Sequence, residues 1–163
     1  MSPTFERRLS TLLPDLVEAF GTPFHVYDAA GIDRTCTEFA AAFAGLDFRE
    51  FFAVKALPNP AVLRLIARHG FGFDTSCEAE LRLAAMAGAT GADICFTSCN
   101  TSAGELTAAI DAGAAVTVDD EAVLGALAET GAVPPRLAFR VNPGDRYQVA
   151  DNHLYGDARA AKF

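Results

Sequence analysis

From residue 51 onward the chain repeats one unit, a short β-prone run followed by a helical stretch, with successive runs beginning about twenty residues apart. The runs are Phe51 to Lys55, Phe71 to Thr75, Ile94 to Thr97, Ala115 to Val118 and Leu137 to Val141. Strict alternation with connections this short forces a parallel sheet, because each strand must return to the same end through a crossover helix. The intervening helices have legible ends. Asn59-Pro60 opens one that carries Val62, Leu63, Leu65 and Ile66 and stops at Gly70. Ser102 with Glu105 forms a capping-box pattern before Leu106 and Ile110, with Gly113 after, and Thr75 with Glu78 repeats that pattern before Leu81. A further helix opens at Asp119 or Asp120, carries Val123, Leu124 and Leu127, and ends at Gly131 with Pro134-Pro135.

A closed (β/α)8 barrel and an open doubly wound sheet both fit this rhythm. Side chains alternate between the faces of a strand, so phasing separates the two. With Lys55 and Ala53 placed inward, the other inward positions are Gly72 and Asp74, Cys95 and Thr97, Ala115 and Thr117, Ala138 and Arg140. Phe52, Val54, Phe71, Phe73, Ile94, Phe96, Val116, Val118, Leu137, Phe139 and Val141 then face out. One face is bulky and apolar and the other small or polar, whereas a sheet covered by helices on both faces would be apolar on both. The expectation is the first five βα units of a TIM-type barrel, with Lys55, Asp74 and Arg140 gathered near the strand C-terminal ends.

Lys55 closes the apolar run Phe51-Phe52-Ala53-Val54. Lysine is rarely buried without a partner, and burial disfavours the charged form of an amine, which frees the neutral nucleophile needed to condense with a carbonyl. The alternative for such a residue is an edge-strand lysine whose amine reaches water. For Asp74 the alternative to a site role is a cap before a helix, and for Arg140 a surface ion pair.

Ahead of the repeats, Asp15 to Phe20 followed by Gly21 suggests a short helix, and Phe24-His25-Val26-Tyr27 a strand. Asp28 then caps a helix whose Ile32, Cys36, Phe39 and Phe43 share one stripe. The expected division is residues 1–45, a helix, strand and helix leading in, and residues 46–163, the barrel portion. The chain has 163 residues, 51% of them hydrophobic and 21% charged, enough for a real core. Its net charge of -8 without a Lys or Arg cluster argues against a nucleic-acid or anionic-membrane partner. The absence of a long apolar run or signal-peptide core leads to an expected cytoplasmic location. Cys36, Cys77, Cys95 and Cys99 show neither paired metal-ligand spacing nor clustered histidines, which favours reduced packing cysteines over zinc or disulfides.

Several ordered motifs resemble one family. They are Thr22-Pro23-Phe24-His25-Val26-Tyr27-Asp28, Phe52-Ala53-Val54-Lys55-Ala56, Gly70-Phe71-Gly72-Phe73-Asp74-Thr75-Ser76 with Glu80-Leu81, Phe96-Thr97 with Asn100, Arg140-Val141-Asn142-Pro143-Gly144, and Lys162-Phe163. Together they are similar to the start of diaminopimelate decarboxylase, within the fold-type III pyridoxal-phosphate decarboxylases that also include ornithine, arginine and carboxynorspermidine decarboxylases. The resemblance implies pyridoxal 5'-phosphate as cofactor, carried on Lys55, with Asp74, Glu80 and Arg140 lining its pocket. It also implies a small amino-acid substrate, no metal, and a homodimeric parent protein. Measured against that family, the chain would be an N-terminal fragment lacking the last barrel strands, the glycine-rich phosphate segment and a C-terminal β-domain, and weakly active or inactive alone. The run Ala56-Leu57-Pro58-Asn59-Pro60 and residues 145–161 depart from the family pattern. Alternative readings are a non-catalytic decarboxylase-like interaction protein, a related decarboxylase, a racemase, or an aldol-cleaving enzyme without a cofactor.

Overall fold

The computed structural model describes residues 2–141, which divide into two compact units, one ending at Phe48 and one beginning at Arg49. In the first, α1 spans Pro3–Phe20, longer than its predicted last turns. Ser2 caps it by accepting from the Phe5 N–H, and Pro3 occupies a first-turn position where its missing N–H costs nothing. Gly21 ends it with φ 72, a conformation costly for any residue with a Cβ. Helix α2 spans Ala29–Ala42 and buries Cys36. The Phe39 and Phe43 rings lie 5.2 Å apart, and Phe43 stacks on Phe48 at 3.9 Å. One expectation fails in this unit. Phe24 to Tyr27 forms no strand, because the segment has no ladder partner among the described residues. Asp28 is the N-cap residue of α2, and its carboxylate also pairs with Arg8.

The second unit carries the repeats. Strands β1 (Phe51–Ala53), β2 (Gly72–Thr75), β3 (Ile94–Thr97), β4 (Ala115–Val118) and β5 (Arg136–Phe139) form a parallel sheet in strictly sequential order. Between them run α3 (Pro60–Ala67), α4 (Glu78–Met86), α5 (Ala103–Asp111) and α6 (Glu121–Glu129), each packed against the next. Sequential order with adjacent crossovers winds every helix onto one face, which excludes the doubly wound alternative and leaves a partial barrel.

The helix starts follow the sequence with one exception. Asn59 Oδ1 accepts from the Ala61 and Val62 N–H groups, Ser102 and Glu105 form a reciprocal box, and Asp120 rather than Asp119 caps α6 through the Val123 N–H at 2.7 Å. Each such cap is worth about 1 kcal/mol. At α4 the expected Thr75–Glu78 pair is absent. Thr75 belongs to β2, is fully buried, and donates to the Cys95 carbonyl at 2.8 Å. The clamp on the first turn is instead Glu80 Oε2, which accepts from both the Ser76 N–H (2.8 Å) and its hydroxyl (3.1 Å).

The outward face is the core. Val54, Phe73, Ile94, Phe96 and Val116 are at most 1% exposed, and Leu63, Leu106 and Ala109 of the helices are fully buried as well. Truncating a ring such as Phe73 to Ala at such a position costs about 3–5 kcal/mol. Strand β5 differs, with Leu137 42% and Phe139 65% exposed despite their expected burial. No helix among the described residues follows β5 to cover it.

At the N-terminal end of the strands the inner face is plugged. The Arg49 guanidinium lies 5.4 Å from the Phe51 ring centroid and pairs with Asp93, while Arg136 donates to the Ala92 carbonyl at 2.9 Å. Gly72 makes this plug possible. A Cβ there would stand 2.6 Å from the Asp93 carbonyl oxygen and 2.7 Å from the Phe51 ring. Gly72→Ala is therefore expected to lower unfolding free energy by about 1–3 kcal/mol. The check is urea unfolding followed by circular dichroism, with an unchanged midpoint as the contrary result.

Candidate active site

Above the plug, toward the C-terminal ends of the strands, the inward positions are small or polar: Ala53, Asp74, Cys95, Thr97, Ala115 and Thr117 are all half-buried. Parallel register puts Ala53 and Cys95 on either side of Asp74, and pairs Thr97 with Thr117. The result is a row of small or polar inward residues with Asp74 between Ala53 and Cys95.

The other three residues singled out by sequence act on that acid electrostatically. Lys55 and Arg140 act on Asp74 as opposite charges and Glu80 as a like charge. Lys55 sits in a 3-10 turn, Val54–Ala56, that follows β1 directly, so the predicted strand is shorter than its apolar run. The turn buries Val54 in the core and leaves Lys55 exposed. The expectation of a lysine amine walled off from water is thus not met among the described residues. The turn carries the side chain off the ladder, and no element among the described residues covers the amine. Arg140 lies just past β5, anchored by its N–H to the Val118 carbonyl at 2.9 Å. Glu80 reaches the region from α4 with one oxygen committed to Ser76. The motif residues Asn142, Pro143, Gly144, Lys162 and Phe163, and the loosely matching residues 145–161, lie outside the described residues.

Burial is the largest influence on Asp74 and pushes its carboxyl above the ordinary value of 3.8, with the Glu80 charge adding to the rise. Opposing it are a hydrogen bond from the Thr97 hydroxyl and the charges of Lys55 and Arg140. Cys95, beside Asp74, has its thiol raised first by burial and then by the Asp74 charge. Thr97, Thr117 and Cys95 were not among the site residues chosen from sequence, although the same alternation that turned Asp74 inward turns them inward too. Asp119, just past β4, has a buried Oδ1 with no hydrogen-bond partner among the described residues.

Chemically, this surface offers a primary amine, a partly desolvated carboxyl beside it, a guanidinium, and room left by small side chains. The amine suits an aldehyde; the guanidinium suits an anionic group. The family described as "Pyridoxal-dependent decarboxylase, pyridoxal binding domain" matches residues 29–163. The chain belongs to that family. Protein TabA of Pseudomonas amygdali pv. tabaci is 45% identical over 163 residues, 100% of this chain and 38% of its own length. A diaminopimelate decarboxylase of Methanothermobacter thermautotrophicus is 35% identical over 131 residues, 79% of this chain and 31% of its own. The crystal structure of diaminopimelate decarboxylase from Helicobacter pylori complexed with L-lysine superposes with TM-score 0.81 at 26% identity, covering 93% of this chain and 39% of that one. The chain therefore spans about a third of the length of these curated relatives. A pyridoxal-binding domain with a barrel-type sheet agrees with the amine, the small inner residues and the sequential strand order.

The raised carboxyl has a consequence for stability. A group whose folded pKa lies above its unfolded value contributes stability that is fully present below the unfolded value, here 3.8, and lost as pH rises through the folded one. Replacing Asp74 with Asn removes the cost of the buried charge at neutral pH. The melting temperature of cofactor-free Asp74→Asn should exceed that of the wild type more at pH 7 than at pH 4. Thermal unfolding at the two pH values tests this, and an advantage larger at pH 4 would contradict it.

Proposed function

We infer that the full-length protein is a pyridoxal-phosphate-dependent amino-acid decarboxylase, with meso-diaminopimelate as substrate and lysine as product. The observation that carries this is the meeting of the Lys55, Arg140 and Glu80 charges on Asp74 at the C-terminal end of the strands. Family membership and relatives named diaminopimelate decarboxylase support the substrate. Bound pyridoxal phosphate supplies an electron sink for the charge left when carbon dioxide departs. In this reading Lys55 Nζ would hold the cofactor aldehyde, and the same amine would move a proton at the reacting carbon. Asp74 keeps that amine oriented, Arg140 offers a fixed positive charge to anionic groups, and Glu80, held by Ser76, lines the pocket wall.

Residues 46–163 are read as the N-terminal part of the cofactor-binding barrel, with residues 1–45 leading into it. The same reading makes the full-length protein a cytoplasmic homodimer. Among the described residues no helix is long and apolar enough to cross a membrane. A second substrate reading is favoured by one observation: the relative at 45% identity is named Protein TabA, not diaminopimelate decarboxylase. A related amino acid is then the substrate, on the same residues.

Carboxyl-labelled meso-diaminopimelate, ornithine and arginine, each offered to the full-length protein, separate these readings. Labelled carbon dioxide from the first alone is the expected result; release from another decides for a related decarboxylase, and racemisation releases none. Borohydride reduction should leave a pyridoxyl group on Lys55. Lys55→Ala should lose that group and reduce carbon dioxide release on the order of 10²- to 10⁴-fold, the range associated with a positioned proton-transfer group. A full-length protein that shows neither the adduct nor any label release would overturn the proposal.

A further inference from the structure

We propose that Ser76 is a positioning residue of the cofactor site, one that fixes the Glu80 carboxylate to the end of β2 through one oxygen and so holds the other ready for a bound molecule. Glu80 Oε2 accepts from the Ser76 N–H at 2.8 Å and from the Ser76 hydroxyl at 3.1 Å, and both bonds are partly buried.

Glu80 is the third residue of α4. An acid at that position of a helix ordinarily reaches back to the N-cap N–H in a capping box. Here the N-cap is Cys77, whose side chain makes no capping bond, and the acid reaches one residue further back, outside the helix. Ser76 is itself held by what precedes it. Thr75 pairs with Phe96 in the ladder, is fully buried and donates to the Cys95 carbonyl at 2.8 Å. Glu80 is therefore tied to the end of a pinned strand although its backbone belongs to a helix. The Ser76 N–H alone sets how far Oε2 stands from β2, and any residue but proline supplies it. The hydroxyl arrives from a second direction and fixes where around that bond the carboxylate lies, which only a hydroxyl-bearing residue at 76 provides. A glutamate left free must give up rotamer freedom when a ligand arrives, whereas one already anchored does not. With two donors on Oε2, Oε1 is the oxygen left to accept from a donor on the bound molecule.

This inference rests on the reading of Glu80 as part of a pyridoxal-phosphate pocket. The test is the binding of pyridoxal 5'-phosphate to the full-length apoprotein, followed by absorbance. Ser76→Ala should weaken binding about fivefold, the change that one net hydrogen bond makes. Ser76→Thr, which keeps the hydroxyl, should stay within about twofold of the wild type on the same conversion. In a Glu80→Ala background, which lacks the anchored group, adding Ser76→Ala should leave the affinity unchanged, as a double-mutant cycle requires of residues acting through one contact. A hydroxyl that only stabilised the start of α4 would lower the urea midpoint without producing this pattern in binding. An affinity of Ser76→Ala equal to the wild type, a Ser76→Thr affinity as weak as that of the alanine variant, or an equal loss in the Glu80→Ala background overturns the proposal. A wild type that binds no pyridoxal 5'-phosphate overturns the decarboxylase reading and this proposal with it, whereas wild-type binding that Ser76→Ala leaves unaltered overturns this proposal alone. Should Ser76→Ala fail to fold, Ser76→Cys, similar in size with a far weaker donor, takes its place with the same expectations.

Discussion

Everything in the second unit depends on one-sided packing of a parallel sheet. Each crossover returns the chain with the same hand, so α3 to α6 lie on one face and the outward residues of β2, β3 and β4 are sealed between strand and helix. With Phe73, Phe96 and Val116 on that side, the other side is free to carry small and polar groups at little cost to the core. The inner face can then change character along its length. Near the strand N-termini it is closed by the Phe51 ring, Arg49 and Asp93, seated over a residue that has no Cβ. Two residues further along β2 comes Asp74, and the face opens.

Period-two alternation made most of this legible without coordinates. Phe73, Ile94, Phe96, Val116 and Val118 are buried where their phase puts them, and Asp74, Thr97 and Thr117 are on the accessible side. Periodicity succeeds at β2, β3 and β4 because helices pack against one face of them only, so the burial pattern repeats the sequence pattern. It fails at β5, where Leu137 and Phe139 have the same apolar signature as Phe96 but no covering helix among the described residues. The pattern describes what a strand can bury, while burial itself requires a second element.

Local chemistry was harder to assign than face. Thr75 and Glu78 have capping-box spacing, yet the β2 ladder holds Thr75 extended and spends its hydroxyl on the Cys95 carbonyl. The clamp passes to Ser76 and Glu80, one and two residues later. Phe24 to Tyr27 has strand composition, but a strand is defined by its partner and none is present among the described residues. At Lys55 the apolar run continues past the ladder into a 3-10 turn. Its Val54 obeys the outward phase and is buried, while the lysine is released toward solvent, which no periodicity argument distinguishes from a strand end.

That exposure sets Lys55 apart from the acid beside it. The desolvated group is Asp74, raised by burial and held back by a hydroxyl and two cations. Burial is the largest of these influences and sets the direction, while the hydroxyl and the two cations moderate it. The groups that act on it come from a turn, a helix, a strand and a strand end, so its protonation reports how well four separate pieces of the chain are assembled.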